Sequence, residues 1–108
     1  MSVNSKRKGS AAEREVAQIL REAGYKDARR GLQYQSGQIE ADVVGVPGIH
    51  IEVKRTEAFR LWDALSQAKA DAGDDMPVVI HRKNDCEWVV VQPLEDWIKL
   101  YREWECSQ

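Results

Sequence analysis

This chain of 108 residues has few of the features that cross-link a protein, thread it through a membrane or seat a structural metal. Its only cysteines, Cys86 and Cys106, lie twenty positions apart with no CxxC pair. That excludes a disulfide framework and points to a reducing compartment, so a cytoplasmic protein is expected. Two cysteines and two histidines, His50 and His81, lack the short spacings of a structural zinc site. No apolar run approaches the roughly 18 residues of a membrane span, and no apolar segment follows the basic start Met-Ser-Val-Asn-Ser-Lys-Arg-Lys. There is no internal repeat and no linker. Nor is there a large excess of positive charge: the net charge of −2 excludes a chain built only to coat nucleic acid. The charge is uneven, however. Residues 1–60 carry eleven Lys/Arg against eight Asp/Glu, and residues 61–108 carry five against ten, so a basic face remains available in the first half.

What is present reads as one domain. Residues 1–9 are expected to be a flexible basic arm whose Lys6, Arg7 and Lys8 could reach phosphates, and residues 10–108 the single domain behind it. Ser10-Ala-Ala-Glu13 has the form of a capping box, and a helix to Ala23 should follow, with Gly24 as its stop. A short edge strand is expected over Tyr25–Arg30, then a polar loop over 31–38 containing Ser36. The runs on either side of Pro47-Gly48 read as a hairpin. A second helix is expected over Thr56–Ala72, strands over Pro77–Arg82 and Cys86–Val91, and a third helix after Pro93. There Leu94, Trp97, Ile98, Tyr101 and Trp104 recur at helical spacing. The order α-β-β-β-α-β-β-α makes an α/β protein with a mixed five-stranded sheet flanked by helices.

The hairpin carries the chemistry. Asp42, Glu52 and Lys54 sit near its open end, and Glu52 and Lys54, two apart on an alternating strand, share a face. Charges grouped on an apolar sheet are costly unless they bind something. Mg²⁺ takes oxygen ligands, usually one or two carboxylates with waters and substrate phosphate, so Asp42 and Glu52 can hold it, with the Val53 carbonyl as a further ligand. Mn²⁺ should substitute. Such a site would polarise a phosphodiester and activate a water, with Lys54 assisting that water or the transition state. Geometry sets a condition. A regular type II Pro47-Gly48 turn pairs Val46 with Ile49, which puts Asp42 opposite Val53 and on the wrong face from Glu52. A shared metal therefore requires a bulge, a different loop, or a chain bend at Asp42.

Ala41-Asp42 followed by Glu52-Val53-Lys54 resembles the PD-(D/E)xK nuclease motif, without its proline. With Lys-Gly-Ser-Ala-Ala-Glu-Arg-Glu (residues 8–15) opening the first helix and a Ser-Gly loop between, residues 6–92 resemble the archaeal-type (Hjc) Holliday junction resolvases and their phage relatives. The resemblance implies a restriction-endonuclease-like core and a Mg²⁺-dependent DNA endonuclease that resolves branched DNA as a homodimer. It would serve recombination or repair in a bacterial or phage-infected cell. By the same resemblance Glu13 helps bind metal, Arg14 contacts DNA, Ser36 lies where the family often has a functional serine, and Gln67 matches an accessory helix glutamine. Arg29, Arg30 and Arg55 complete the expected phosphate contacts.

Other readings of these residues stay open. Glu13 could serve only the helix cap, Asp42 and Glu52 could be solvated strand charges, and Ser36 and Gln67 could be a loop former and a solvent-facing residue. His50 is expected to be an exposed strand residue, His81 to be structural, and the tryptophans to lie in the core or an interface. The rival functions are a flap or linear-DNA nuclease of the same fold and a non-catalytic DNA-binding module.

Overall fold

The computed structural model describes residues 2–32 and 40–108, with side chains from Gly9 onward. Ser36 and Gln38 of the polar loop, like the side chains of Lys6, Arg7 and Lys8, lie outside the described residues. The elements follow the expected order: α1 (Ser2–Glu22), β1 (Arg29–Arg30), β2 (Val43–Val44), β3 (Ile49–Arg55), α2 (Leu61–Ala72), β4 (Met76–Arg82), β5 (Val89–Val91) and α3 (Leu94–Cys106). They build a five-stranded sheet in the order β1-β2-β3-β4-β5. β3 and β4 run parallel, joined by the α2 crossover, and the other neighbours pair antiparallel, so the sheet is mixed.

Strand alternation assigns the two faces. Ile51 and Val53 of β3 and Val43 of β2 turn to one side, where Ala12, Val16 and Ala17 of α1 close over them. Val79 of β4, level with Glu52, turns to the other side and is covered by Ala64, Leu65 and Ala68 of α2. The small helix residues bring each helix close to the sheet. β3 is therefore apolar towards α1 and carries His50, Glu52 and Lys54 towards α2.

Two helix starts and one burial differ from expectation, and β1 and β5 are shorter than the Tyr25–Arg30 and Cys86–Val91 strands expected. α1 begins at Ser2, so Ser10 lies within the helix and no cap forms there. The Lys, Arg and Ser residues before it tolerate a helix, and Gly9 has open space around it, so the turn carrying the capping pattern simply continues. α2 begins at Leu61 rather than Thr56, since the non-helical Arg60 (φ −99°, ψ 84°) breaks the helical path ahead of it. Trp62, expected in the core or an interface, is 76% exposed, because α2 turns Ala64, Leu65, Ala68 and Ala72 inward instead.

Candidate active site

The hairpin register decides whether the carboxylates meet. The Pro47-Gly48 turn forms, with the Ile49 amide donating to the Val46 carbonyl at 3.2 Å. Yet Val43 faces Ile51, one residue out of step with a regular two-residue hairpin. The extra residue is Gly45, whose φ of +99° is the left-handed conformation of a bulge. A side chain there would also collide with the Asp27 carbonyl, so the bulge nests against the segment leading into β1. One residue beyond the Val43–Ile51 pair, Asp42 is brought level with Glu52.

Asp42 sits just ahead of β2. Its Oδ2 accepts the Val53 amide at 2.8 Å, a bond that a longer β2 would have made through its backbone. The Asp42 carboxylate thus lies close to the plane of the sheet, within reach of both faces. Its own carbonyl is fixed by the Gly31 amide at 2.9 Å. Gly31 is buried against the Ala41 backbone so closely that any side chain would strike the Ala41 carbonyl.

Charge converges on Asp42 from both faces. Glu52 stands level with it across the hairpin, close enough for the two carboxyl groups to repel one another. Burial first, and then the neighbouring Glu52 carboxyl, push the Asp42 carboxyl up to about 7, against the opposing pull of the Val53 amide and Lys54. Glu13, from α1, also feels the Asp42 charge, and burial first and then Asp42 push its carboxyl upward while Arg30 opposes them. Lys54 follows on β3, exposed to solvent.

Glu13, Asp42, Glu52 and Lys54 are therefore gathered at one end of β2 and β3, and Glu13 is not a cap residue. The basic residues are placed less uniformly. Arg14 is exposed. The Nε of Arg30 donates to Glu13 at 2.6 Å, so Arg30 supports the acidic site from the α1 side. Arg29 pairs with Glu40 at 3.2 Å. Arg55 reaches Asn84 at 3.3 Å. Gln67 donates to Asp71 at 2.8 Å. It lines a cleft of about 360 Å³ that opens beside Lys54 and also touches Thr56, Phe59, Arg60 and Asp63.

Two residues join the site against expectation. His50 is not an exposed strand residue: only 11% of its side chain is accessible, and its Nε2 lies 2.9 Å from Glu52 Oε1. Alternation already places it on the Glu52 face, but its burial comes from the neighbouring elements. Asp71 of α2 brings a ligand atom to the same place, and His50, Glu52 and Asp71 offer three such atoms within 4.8 Å of one another. Gln67 and Asp71, four apart on α2, are the available signal. His81 is structural as expected, stacked on Phe59 at 3.8 Å and bonded to the Lys54 carbonyl at 2.9 Å.

A family model described as archaeal Holliday junction resolvase (Hjc) matches residues 4–100. The chain belongs to the Hjc family. The match spans both flanking helices and the full sheet, so the α/β fold with its mixed five-stranded sheet is the restriction-endonuclease-like core of that family. Membership makes the chain a nuclease of the Holliday junction resolvase type. Searches of curated proteins and of solved structures found no match. Among the described residues, no helix is long and apolar enough to cross a membrane.

Proposed function

We propose that this protein is a divalent-metal-dependent endonuclease that cuts branched DNA symmetrically as a homodimer, with Glu13, Asp42, Glu52 and Lys54 as its catalytic set. The observation that carries this reading is the hairpin register, which sets the partly buried Asp42 level with Glu52. Two carboxylates held together away from water cannot both ionise unless a cation lies between or beside them. Burial first, and the neighbouring Glu52 carboxyl with it, push the Asp42 carboxyl up to about 7, so that at neutral pH a proton holds that place in part. A site that binds protons this readily also suits a hard cation and its oxygen donors.

Asp42, Glu52 and the Val53 carbonyl would hold Mg²⁺, with Glu13 close enough to tune the site or to bind through water. Mn²⁺, which takes the same carboxylate and carbonyl oxygen donors, would substitute. When bound, the ion neutralises charge on the phosphate and acidifies the attacking water. The chain's own groups do the rest. Lys54 can donate to that water or to a phosphate oxygen as charge builds on it. Arg30 keeps the Glu13 carboxylate oriented, and His50 does the same for Glu52. The Val53 amide anchors Asp42 so that it does not swing out of the sheet. Arg14, Arg29 and Arg55, with Lys6, Arg7 and Lys8 on the first turns of α1, provide phosphate contacts. Gln67 is an accessory group in the cleft beside Lys54.

The test is cleavage of a labelled four-way junction, a flap and a linear duplex in parallel. Paired, symmetric cuts on the junction alone support the reading. Equal cleavage of all three would replace it with a general nuclease, and binding without cleavage under any divalent ion would replace it with a DNA-binding module.

A further inference from the structure

α3 is amphipathic, yet none of its thirteen residues is buried. Leu94 is 71% exposed, Trp97 51%, Tyr101 43% and Trp104 56%. Trp97 stacks on Tyr101 at 5.3 Å and Tyr101 contacts Trp104 at 5.6 Å, so the rings already form a continuous strip. Glu95, Lys99, Arg102 and Glu103 fall on the other side. Within its own chain this strip has nothing to cover it among the described residues.

Its spacing indicates the occupant. Leu94, Trp97, Tyr101 and Trp104 follow one another at three, four and three residues, the a/d seam of a coiled coil. That sequence of steps reads the same in both directions. Turned end over end, α3 therefore sets Leu94 against Trp104 and Trp97 against Tyr101, and each pair recurs across the two-fold axis, as an isologous contact requires. A receptacle adjoins the strip. Val90, Val91, Gln92, Leu94 and Trp97 line a hollow of about 580 Å³ between β5 and α3, and Trp104 of a second copy would come to lie over it. Val90 of β5, 56% exposed, extends the same apolar surface.

The area suffices. Three half-exposed aromatic rings offer about 300 Å², and the aliphatic neighbours raise this to roughly 500 Å² per copy, which gives a pair near the ~1,000 Å² of a specific interface.

The geometry points to α3 and the adjoining edge of β5 as the self-association surface of this protein, with a second copy's α3 packed antiparallel across it. This rests on the proposed two-copy assembly and names the surface that makes it. The carboxylate site lies at the β2–β3 end of the sheet, away from β5, so each copy would keep its own site free for DNA.

The experiment is sedimentation equilibrium of the full chain, wild type beside Trp97→Glu/Tyr101→Glu, with a junction-cleavage assay on the same samples. The wild type is expected to dimerise and the double variant to weaken dimerisation by about 100-fold or more, with its circular dichroism unchanged. Trp104→Ala, at the far end of the helix, should weaken it to a lesser degree and keeps the test decisive if the double variant misfolds. Tryptophan emission of the wild type should shift to the red on dilution through the dissociation range. A monomeric wild type, or variants that dimerise as tightly as the wild type, would overturn the inference. Loss of the nuclease reading would look different: the wild type would not cut DNA, whatever its oligomeric state.

Discussion

Asp42 stands level with Glu52 across the hairpin because Gly45, one extra residue at the end of β2, moves it from opposite Val53 to opposite Glu52. With a regular turn, the same residues would face opposite sides of the sheet. The consequence is a protein that folds around an electrostatic conflict. In the metal-free state that conflict is relieved by a proton.

Stability should record that proton. Asp42 has a folded pKa near 7 against an ordinary value of 3.8, so between these limits the folded state binds more protons than the unfolded one. Stability of the metal-free protein is therefore greatest below about pH 4 as far as this group is concerned, and it falls as pH rises through 7. Asp42→Asn should remove that fall and raise the melting temperature at pH 8. Saturating Mg²⁺ should raise the wild type at pH 8 by about 2.7 kcal/mol at 100 times its Kd, with little effect on the variant. Calorimetric melts across pH 4–8, with and without Mg²⁺, measure both.

Gly45→Ala tests the register. A methyl group there meets the Asp27 carbonyl and demands a left-handed backbone from alanine. The expected cost is about 2 kcal/mol or more, with cleavage reduced beyond what the loss of stability explains. Urea unfolding and cleavage of the still-folded fraction separate the two effects. Gly48→Ala, at the turn itself, demands a positive φ (+85°) too but meets open space, so the comparison isolates the collision at Gly45.

Lys54 is exposed at the site and lines the Gln67 cleft, so its removal should spare the fold. Lys54→Ala should slow cleavage by about 10²–10³-fold with junction binding nearly unchanged. Single-turnover rates against a binding titration give the result.

The basic start of α1 should act through phosphates. Replacing Lys6, Arg7 and Lys8 together by Ala should weaken binding to every DNA tested and flatten the dependence of log K on log salt by about 0.9 for each phosphate no longer neutralised. An unchanged slope would remove the segment from the DNA surface.

Much of this is legible in the sequence because local pattern and tertiary outcome agree. The alternation of Ile49 to Arg55 fixes which face carries Glu52 and Lys54, and the order of the eight elements follows from periodicity and turn residues. The need for an irregular hairpin is legible too, since Asp42 and Glu52 could not otherwise meet. Its location is not: Gly45 bulges into contact with Asp27 and Ala28, neighbours defined only by the fold. The burial of His50 and the arrival of Asp71 depend in the same way on the α2 crossover. The start of α1 escapes the sequence because Ser10 and Glu13 fit a capping box and a mid-helix turn equally well. Arg30 has the chemistry of a phosphate contact, but β1 pairs it with Val43, which delivers it to Glu13.

The central claim is that Asp42 and Glu52 hold one catalytic divalent ion together. The most direct measurement is strand cleavage of a labelled four-way junction by wild type, Asp42→Ala and Glu52→Ala, titrated with Mg²⁺ and with EDTA in excess. Cleavage by the wild type should rise with Mg²⁺ and vanish in EDTA, while both variants bind the junction and leave it intact at every Mg²⁺ concentration. Cleavage that persists in EDTA, or that survives either substitution, would contradict the account.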